Sequence, residues 1–344
     1  MPKLNANLCY PIETPPKPAE LVSVAHGVKW LRMPLPFALD HINLWLVEDG
    51  DGEMIVDTGF DNEETRSIWL RIAEQRFKGR SPTRLFCTHH HPDHMGLSGW
   101  LTKLFGIPLL VSDGEWEAFF QWTKPSQEDF VAMMNRYYRW IGISADRAAR
   151  DIKYRNHLRI ADRIIPSGYN PLRAGDSVST TGGSWRLFCG RGHAPELMAP
   201  YNEDLNVLIA GDQVLPGISP NIGVYPFDLF ANPLELYLES LEDLRILPED
   251  TLVLPSHKLP FIGLHERINT LISHHYKRLD DAIGACQEPA TAKTVAAALF
   301  PRATGDQQFF FAIAEALAHL NFLVAQGSLL RELDSDDKAL FHAP

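Results

Sequence analysis

The chain has 344 residues, 45% of them hydrophobic, and a formal net charge of −11 at pH 7. This length allows a large buried core, and we expect one large domain with an appendage rather than several equal domains. The negative charge argues against broad electrostatic binding to nucleic acid or to an anionic membrane.

The N-terminal segment, the cysteines and one apolar stretch bear on the compartment. Prolines are frequent in residues 1–21, which predicts an extended arm, and no secretory signal pattern is seen there. The four cysteines form no C-x-x-C pair, so we expect a reduced, cytoplasmic protein. The longest apolar stretch, 309–324, is interrupted by Glu315, His319 and Asn321, and we expect it to be too short to span a bilayer.

Strand-like and helical segments alternate over the first third of the chain. The repeated Asp-Gly pair at 49–52 predicts a hairpin turn, and a helical pattern covers 63–76. Apolar runs predict strands at 28–33, 43–47, 53–56 and 85–87. The alternation indicates an α/β layered domain.

Residues 113–165 interrupt this alternation with an aromatic-rich segment that is predicted to be helical. It is either an ordinary packed helical layer or a lid that offers an aromatic wall to an apolar substrate. The later predicted elements are strands at 184–188, 206–210 and 251–254 and helices at 268–283, 294–299 and 309–326.

The segment 88–96 holds four histidines and an aspartate within six positions, His89 to His94. Imidazole and carboxylate are the ligands that bind zinc, iron or manganese. His89 and His91 are two residues apart and project to one side of an extended segment, so they can hold one ion together. Asp93 and His94 point elsewhere and can hold a second ion, whereas His90 should point away from the paired histidines.

Four further acids and imidazoles each follow an apolar strand: Asp57, His193, Asp212 and His257. Strand ends form the rim from which α/β folds build their sites. Taken singly, each residue is typical of a turn or a cap. Together with the histidine cluster, they indicate one metal-binding constellation.

The order of these residues resembles the metallo-β-lactamase fold superfamily over residues 22–264. The resemblance implies an α/β (α+β) fold, an αββα sandwich with the metal site at one edge of two facing sheets and a helical insert at 113–165. Asp57 matches the acid that orients the ligands from behind. The implied ligands are His89, His91 and His193 for one metal, Asp93, His94 and His257 for a second, and Asp212 as the bridge between them.

This resemblance implies a dinuclear metal-dependent hydrolase. Two divalent ions are expected to bridge a hydroxide that attacks an ester, thioester or lactone carbonyl. We favour zinc, although the ligand set also suits iron or manganese. Asp93 is expected to move a proton as well as bind metal, and Asp57 to orient the site. A phosphodiesterase or endoribonuclease, an iron-dependent oxidoreductase and a β-lactamase stay open as alternatives.

The C-terminal residues 265–344 are similar to those of a superfamily branch with a small, mostly helical, winged-helix-like domain. A helical cap that only completes the core is the alternative. This similarity supports the ribonuclease alternative, which the net charge opposes.

The expected substrate contacts are less specific than the ligand pattern. Tyr225 and Phe227 fit an apolar substrate, and Glu196 favours one with a hydrogen-bond donor or a positive group. Lys258 can bind a carboxylate or phosphate, with a solvated lysine as the alternative. We expect a small-molecule substrate, neither nucleic acid nor a membrane as partner, and leave a homodimer open.

Overall fold

The structure is a computed structural model that describes residues 7–78, 80–159, 164–303 and 305–344. Residues 1–6 of the predicted arm and 160–163 of the predicted insert lie outside the described residues. The chain forms two compact units that interleave along the sequence. Unit 1 comprises Met1–Phe119, Asp162–Pro220 and Ser240–Ile268, and unit 2 comprises Phe120–Ala161, Asn221–Glu239 and Asn269–Pro344. The predicted boundaries at 22, 113, 165 and 265 stay predictions.

Unit 1 contains a seven-stranded sheet in which the strands lie in chain order. Neighbouring strands are antiparallel from the first to the fourth and parallel from the fourth to the seventh. The predicted hairpin is confirmed, since Asp49 pairs with Gly52 and Gly50 has a positive φ of 61°. The strands are β1 Val22–Ala25, β2 Val28–Pro34, β3 His41–Asp49, β4 Gly52–Val56, β5 Arg84–Phe86, β6 Leu109–Ser112 and β7 Asn170–Leu172.

A second sheet of five strands completes the sandwich in unit 1. Its strands are β8 Ser177–Thr180, β9 Gly183–Gly190, β10 Leu197–Asn202, β11 Val207–Gly211 and β12 Leu252–Pro255. The pair β11–β12 is parallel and the other pairs are antiparallel. Inward-facing side chains of both sheets form one core, and each fully buried large one contributes about 1.5–3 kcal/mol. They include Trp30, Trp45, Phe86, Trp185, Ile209 and Leu254.

The helices occur in both units and across their boundaries. In chain order they are α1 Glu63–Gln75, α2 Pro92–Met95, α3 Ser98–Phe105, α4 Asp113–Gln121, α5 Gln127–Trp140, α6 Ala145–Arg159, α7 Pro233–Asp243, α8 Leu264–Ala285, α9 Ala292–Leu299 and α10 Asp306–Ala325. Asn62 begins α1 by accepting a hydrogen bond from the backbone N–H of Thr65. Buried residues at 65, 68, 69 and 72 then give α1 its apolar face.

The aromatic segment is helical, as predicted, and much of it is buried. Helix α5 buries Phe130, Met134, Tyr137, Tyr138 and Trp140 within unit 2. This burial is typical of a packed helical layer, and the alternative of a lid with an aromatic wall stays open.

The predicted C-terminal helices are confirmed as α8, α9 and α10. An antiparallel hairpin, β13 Leu330–Leu333 and β14 Ala339–His342, follows them and was not predicted. Three helices followed by a two-stranded hairpin form the winged-helix-like arrangement that the resemblance implied.

One helical segment of the described chain, Gln308–Ala325, is long and apolar enough to cross a membrane by length and composition. The expectation that this stretch is too short is therefore wrong by length alone. However, 72% of the segment is buried inside the protein, as in the core helix of a globular domain.

Candidate metal centre

The predicted site residues of unit 1 follow five strands of the two sheets. In the first sheet, Asp57 follows β4 and the histidine cluster follows β5. In the second sheet, His193 follows β9, Asp212 follows β11 and His257 follows β12. A backbone hydrogen bond of 2.9 Å from Met198 to Thr88 joins the two sheets where these strands end.

Asp57 occupies the left-handed region of backbone space, with a φ of 64°. Its carboxylate accepts hydrogen bonds from the Thr88 backbone N–H at 2.7 Å and from the Thr88 hydroxyl at 2.9 Å. His94 Nδ1 lies 2.8 Å from the same carboxylate, which directs His94 Nε2 away from Asp57. Gly59 has a φ of 84°, and a Cβ at this position would lie only 2.8 Å from the Thr65 side chain. Both the backbone conformation and the lack of space therefore favour glycine here.

Helix α2 gives the end of the histidine cluster its conformation. Pro92 occupies its first turn, and the His91 carbonyl accepts hydrogen bonds from the N–H groups of His94 and Met95, both at 2.9 Å. Thr58 then donates its backbone N–H and its hydroxyl to the His94 carbonyl, each at 2.9 Å. These bonds place Asp93 and His94 in α2, after His89 and His91, although the rings of His89 and His94 still lie 3.8 Å apart.

One group of candidate ligands comprises His89, His91, His193 and Asp212, whose ligand atoms all lie within 4.8 Å of one another. His89 Nε2 is 3.0 Å from His91 Nδ1. His193 Nε2 is 3.4 Å from Asp212 Oδ2. Three imidazoles and one carboxylate thus converge on one point.

A second group comprises Asp93, His94 and His257, again with ligand atoms within 4.8 Å. His257 Nε2 lies 3.5 Å from Asp93 Oδ2. Asp212 Oδ1 lies 3.6 Å from His94 Nε2 and 3.4 Å from His257 Nε2. Asp212 therefore directs one carboxylate oxygen toward each group.

The histidines of the site differ in the direction in which their surroundings shift the pKa. Burial and neighbouring imidazoles lower the pKa of His89 and His91 well below the usual value. Burial also opposes protonation of His94 and His257, but the nearby carboxylates outweigh it and raise the pKa of both. Burial opposes ionisation of Asp212, yet the imidazoles of His257 and His94 hold its pKa well below the usual value.

The residues present fit divalent metal ions. Asp212 Oδ1 and His94 Nε2 are buried without a hydrogen-bond partner in the described part of the chain, and such atoms are costly unless an ion or a water satisfies them. The donors are imidazole and carboxylate, which suit zinc, iron or manganese. Cys87 and Cys189 belong to neither group, and burial raises the pKa of both thiols.

His90 belongs to neither group of candidate ligands, although its ring lies 4.7 Å from that of His91. Its Nδ1 is 2.6 Å from Glu115, and its backbone N–H donates to the same carboxylate at 2.9 Å. Glu115 is fully buried and also accepts from the Glu196 backbone N–H at 2.6 Å. Glu115 was not predicted from the sequence. It lies three residues after strand β6, and the other acids of the site were recognised by the same kind of position after a strand.

His41 is a further site residue that was not predicted from the sequence. Its carbonyl oxygen is 2.8 Å from His257 Nδ1, and its Nε2 accepts from the Lys258 backbone N–H at 2.9 Å. Burial and the charge of Arg32 lower the pKa of His41 to about 4. His41 thus orients His257 through its backbone. The pattern of acids and imidazoles after strands could not identify His41, because His41 lies at the start of β3.

The predicted substrate contacts lie in different units. In unit 1, Glu196 accepts from the Gly114 backbone N–H at 2.8 Å, at the start of α4, and Lys258 is half-buried with a φ of 74°. In unit 2, Tyr225 and Phe227 both contact the Trp122 ring, at centroid distances of 6.2 and 4.7 Å. Substrate contact by these four residues stays a prediction.

Residues 38–257 match the family model described as the Metallo-beta-lactamase superfamily. The chain belongs to this superfamily. Residues 279–344 match a second model, the C-terminal domain of metallo-beta-lactamase-like proteins, so the predicted branch is also confirmed. A metal-dependent hydrolase of the mixed α/β metallo-β-lactamase fold was predicted, and membership of the superfamily confirms it at that level.

Solved structures support the assignment over almost the whole chain of this superfamily member. A beta-lactamase domain protein from Burkholderia ambifaria is 38% identical, with a TM-score of 0.89 over 99% of this chain and 100% of that one. A metallo-beta-lactamase family protein from Thermus thermophilus is 28% identical, with a TM-score of 0.78 over 94% of this chain and 100% of that one. "Probable metallo-hydrolase YqgX" of Bacillus subtilis (strain 168) is 26% identical over 232 residues, 67% of this chain and 90% of that one.

Proposed function

We propose that this superfamily member is a dinuclear zinc hydrolase that cleaves the acyl C–O or C–S bond of a small ester, thioester or lactone. The observation that carries the proposal is the position of Asp212. Its two oxygens lie 3.4 Å from His193 Nε2 and 3.4 Å from His257 Nε2, so each oxygen faces a different group of candidate ligands. A carboxylate in that position supports two ions side by side rather than one.

The ligand chemistry supports zinc. The two groups offer imidazole and carboxylate donors, with Asp212 between them. When bound there, two zinc ions supply a water of lowered pKa and polarise the carbonyl of the substrate.

The side chains of the chain itself have separable roles in this proposal. Asp93 retains 19% side-chain exposure, and its Oδ2 is 3.5 Å from His257 Nε2, so its carboxylate would both hold metal and carry a proton from the attacking water to the leaving group. Asp57 does not reach the reacting atoms. It is a positioning residue that orients His94 through the 2.8 Å contact to Nδ1.

The proposal also covers the class of substrate and the cellular compartment of the protein. The net charge of −11 supports a small substrate over a polyanion, because no general excess of positive charge attracts phosphates. The four cysteines are free, which supports a reducing, cytoplasmic environment. Tyr225 and Phe227 are proposed to contact apolar substrate groups, and a homodimer is compatible with the proposal.

A substrate panel at verified metal content tests the proposal. The full chain, loaded with zinc or with iron, is assayed on a thioester, a lactone, a phosphodiester and a β-lactam. We expect turnover of the acyl substrates by the zinc form. Turnover of the phosphodiester alone would replace the proposal with the phosphodiesterase alternative. Activity with iron alone would remove zinc from it.

A further inference from the structure

Three metal-ligating side chains lie together in the apolar interior of unit 2, outside the centre described above. His275 belongs to α8, and Glu315 and His319 belong to α10. His275 and His319 are fully buried, and Glu315 is 8% exposed. Buried polar groups of this kind require a partner that repays the loss of water.

The geometry of the three side chains is that of a ligand set. Glu315 and His319 are four residues apart, so they project from the same face of α10. His275 Nδ1 lies 3.2 Å from His319 Nε2, and each of the three side chains offers one ligand atom within 4.8 Å of those of the other two. Two nitrogens bound to one tetrahedral zinc at about 2.0–2.1 Å are separated by a little over 3 Å.

Proton positions explain why a cation fits between these nitrogens. His319 Nδ1 is 2.7 Å from the Glu315 carbonyl oxygen, which can only accept, so Nδ1 carries the proton and Nε2 presents a lone pair to His275. If His275 donates from Nδ1, its Nε2 is left as a buried acceptor without a hydrogen-bond partner in the described chain. If His275 carries its proton on Nε2, that N–H likewise has no hydrogen-bond partner in the described chain, and two lone pairs and a carboxylate converge. A cation bound between these two nitrogens and the carboxylate interacts favourably with all three groups.

We propose that His275, Glu315 and His319 bind one divalent transition-metal ion, with Zn²⁺ as the probe. Two imidazoles and one carboxylate suit zinc and its neighbours in the first transition row. The hydrogen bond from His319 Nδ1 to the Glu315 carbonyl is the outer contact that commonly orients a metal-binding histidine. The site is separate in sequence from the catalytic ligands and does not depend on the proposed hydrolase activity.

A cavity reaches the carboxylate end of this cluster. It has a volume of about 630 Å³, and its lining includes Glu315, Asn221 and Arg278. The Asn221 side chain donates to Glu315 at 3.0 Å, which holds the carboxylate in place. The cavity therefore reaches one of the three proposed ligands and leaves room beside it for a water or a small anion.

Zinc stoichiometry of the full chain tests the inference. The protein is stripped with a chelator, reloaded with Zn²⁺, desalted and analysed for metal per chain. We expect His275→Gln and Glu315→Gln each to bind one equivalent less than the wild type. His274→Gln, which changes the neighbouring histidine of α8, is the matched control and should bind as much as the wild type.

Activity separates this inference from the proposed function. Both cluster variants should keep the hydrolytic rate of the wild type, whereas changes to the catalytic ligands should remove activity and leave the cluster's equivalent in place. Circular dichroism checks the fold, and the nearly isosteric Glu315→Gln serves if His275→Gln unfolds. Equal zinc content in the wild type and a folded cluster variant would overturn the inference.

Discussion

The strand-end centre of unit 1 and the helix-pair cluster of unit 2 gather the same types of side chain by different means. In the centre, the ligands lie in loops and in the short helix α2 after strands. Thr58 donates its N–H and hydroxyl to the His94 carbonyl, and Thr88 donates its N–H to Asp57, which orients His94. In the cluster, three side chains are buried between α8 and α10 among apolar neighbours. The centre thus depends on many hydrogen bonds between segments, whereas the cluster depends mainly on burial and helical spacing, with hydrogen bonds at Glu315 and His319.

The electrostatic surroundings of the histidines differ in the same way. Carboxylates raise the pKa of His94 and His257 in the centre, despite burial. In the cluster, burial lowers the pKa of His275 to about 2 and that of His319 to about 4. The surroundings in the centre favour charged imidazoles at His94 and His257, while the cluster keeps its imidazoles neutral. This difference suits chemistry in one place and static binding in the other.

The largest expected effect follows from loss of the shared carboxylate. We expect Asp212→Ala to lower kcat/KM by about 10³-fold or more, at the upper end of the cost of removing one charge-stabilising group from an active site. Steady-state kinetics with metal analysis checks this. Exposed Asp204→Ala is the control and should match the wild type. Near-normal turnover by Asp212→Ala would end the dinuclear proposal.

A smaller effect is expected from Asp57→Asn. The amide replaces one of the oxygens that face Thr88 and His94, so His94 loses its fixed orientation while every ligand stays present. We expect metal affinity or activity to fall about 10- to 100-fold. Zinc titration in competition with a chelator measures it, and Asp51→Asn in the exposed β3–β4 turn is the control. An effect on activity as large as that of Asp212→Ala would make Asp57 more than a positioning residue.

In metal-free protein, Glu315→Gln should raise stability at high pH. Burial raises the pKa of Glu315 to about 7 from its ordinary 4.5, so stability is lost as the pH rises through this interval, where the unfolded chain has already released the proton. The nearby charge of Arg278 lessens the shift, and the buried histidines are neutral in this range.

The expected gain is near zero at about pH 4 and on the order of 3 kcal/mol at about pH 8, since one pKa unit corresponds to about 1.4 kcal/mol. Urea unfolding in the presence of a chelator measures it, with exposed Glu288→Gln as control. With Zn²⁺ added, the wild type should be more stable than Glu315→Gln, because the variant lacks one ligand of the ion. A gain that is independent of pH would contradict the burial argument.

The smallest effect is expected from His90→Ala. The His90 side chain bonds to Glu115, and its ring contacts that of His91 at a centroid distance of 4.7 Å without offering a ligand atom to either group. Glu115 keeps its backbone donors in the variant. We expect a loss of about 1 kcal/mol in stability and less than about a tenfold change in kcat. The same stability and activity assays on His91→Ala, which should be inactive, show whether the two adjacent histidines have different roles.

Much of the fold and the arrangement of the centre could be predicted from the sequence. Helix α1, the β3–β4 hairpin and the strands before the ligands have strong local patterns, namely an asparagine cap, two Asp-Gly pairs and unbroken apolar runs. The separation of His89 and His91 from Asp93 and His94 follows from spacing and from Pro92. These features depend on neighbours within a few residues.

The rest depends on contacts between distant segments. Strand β10 contains a proline, Pro200, and β7 has only three residues, so neither has a clear strand pattern. Glu315 and His319 were read only as interruptions of an apolar stretch, because His275 lies about forty residues earlier on another helix. His41 reaches His257 across 216 positions, which no local pattern records.

The two facing sheets have a mechanical consequence for the centre. Each group of candidate ligands draws residues from loops of both sheets: His89 and Asp93 follow β5 of the first, while His193 and His257 follow strands of the second. An ion bound in either group is therefore a cross-link between the halves of the sandwich, in parallel with the Met198–Thr88 hydrogen bond. Ion release and separation of the sheets at this edge become one coupled event, so metal exchange should slow as the sandwich becomes more stable.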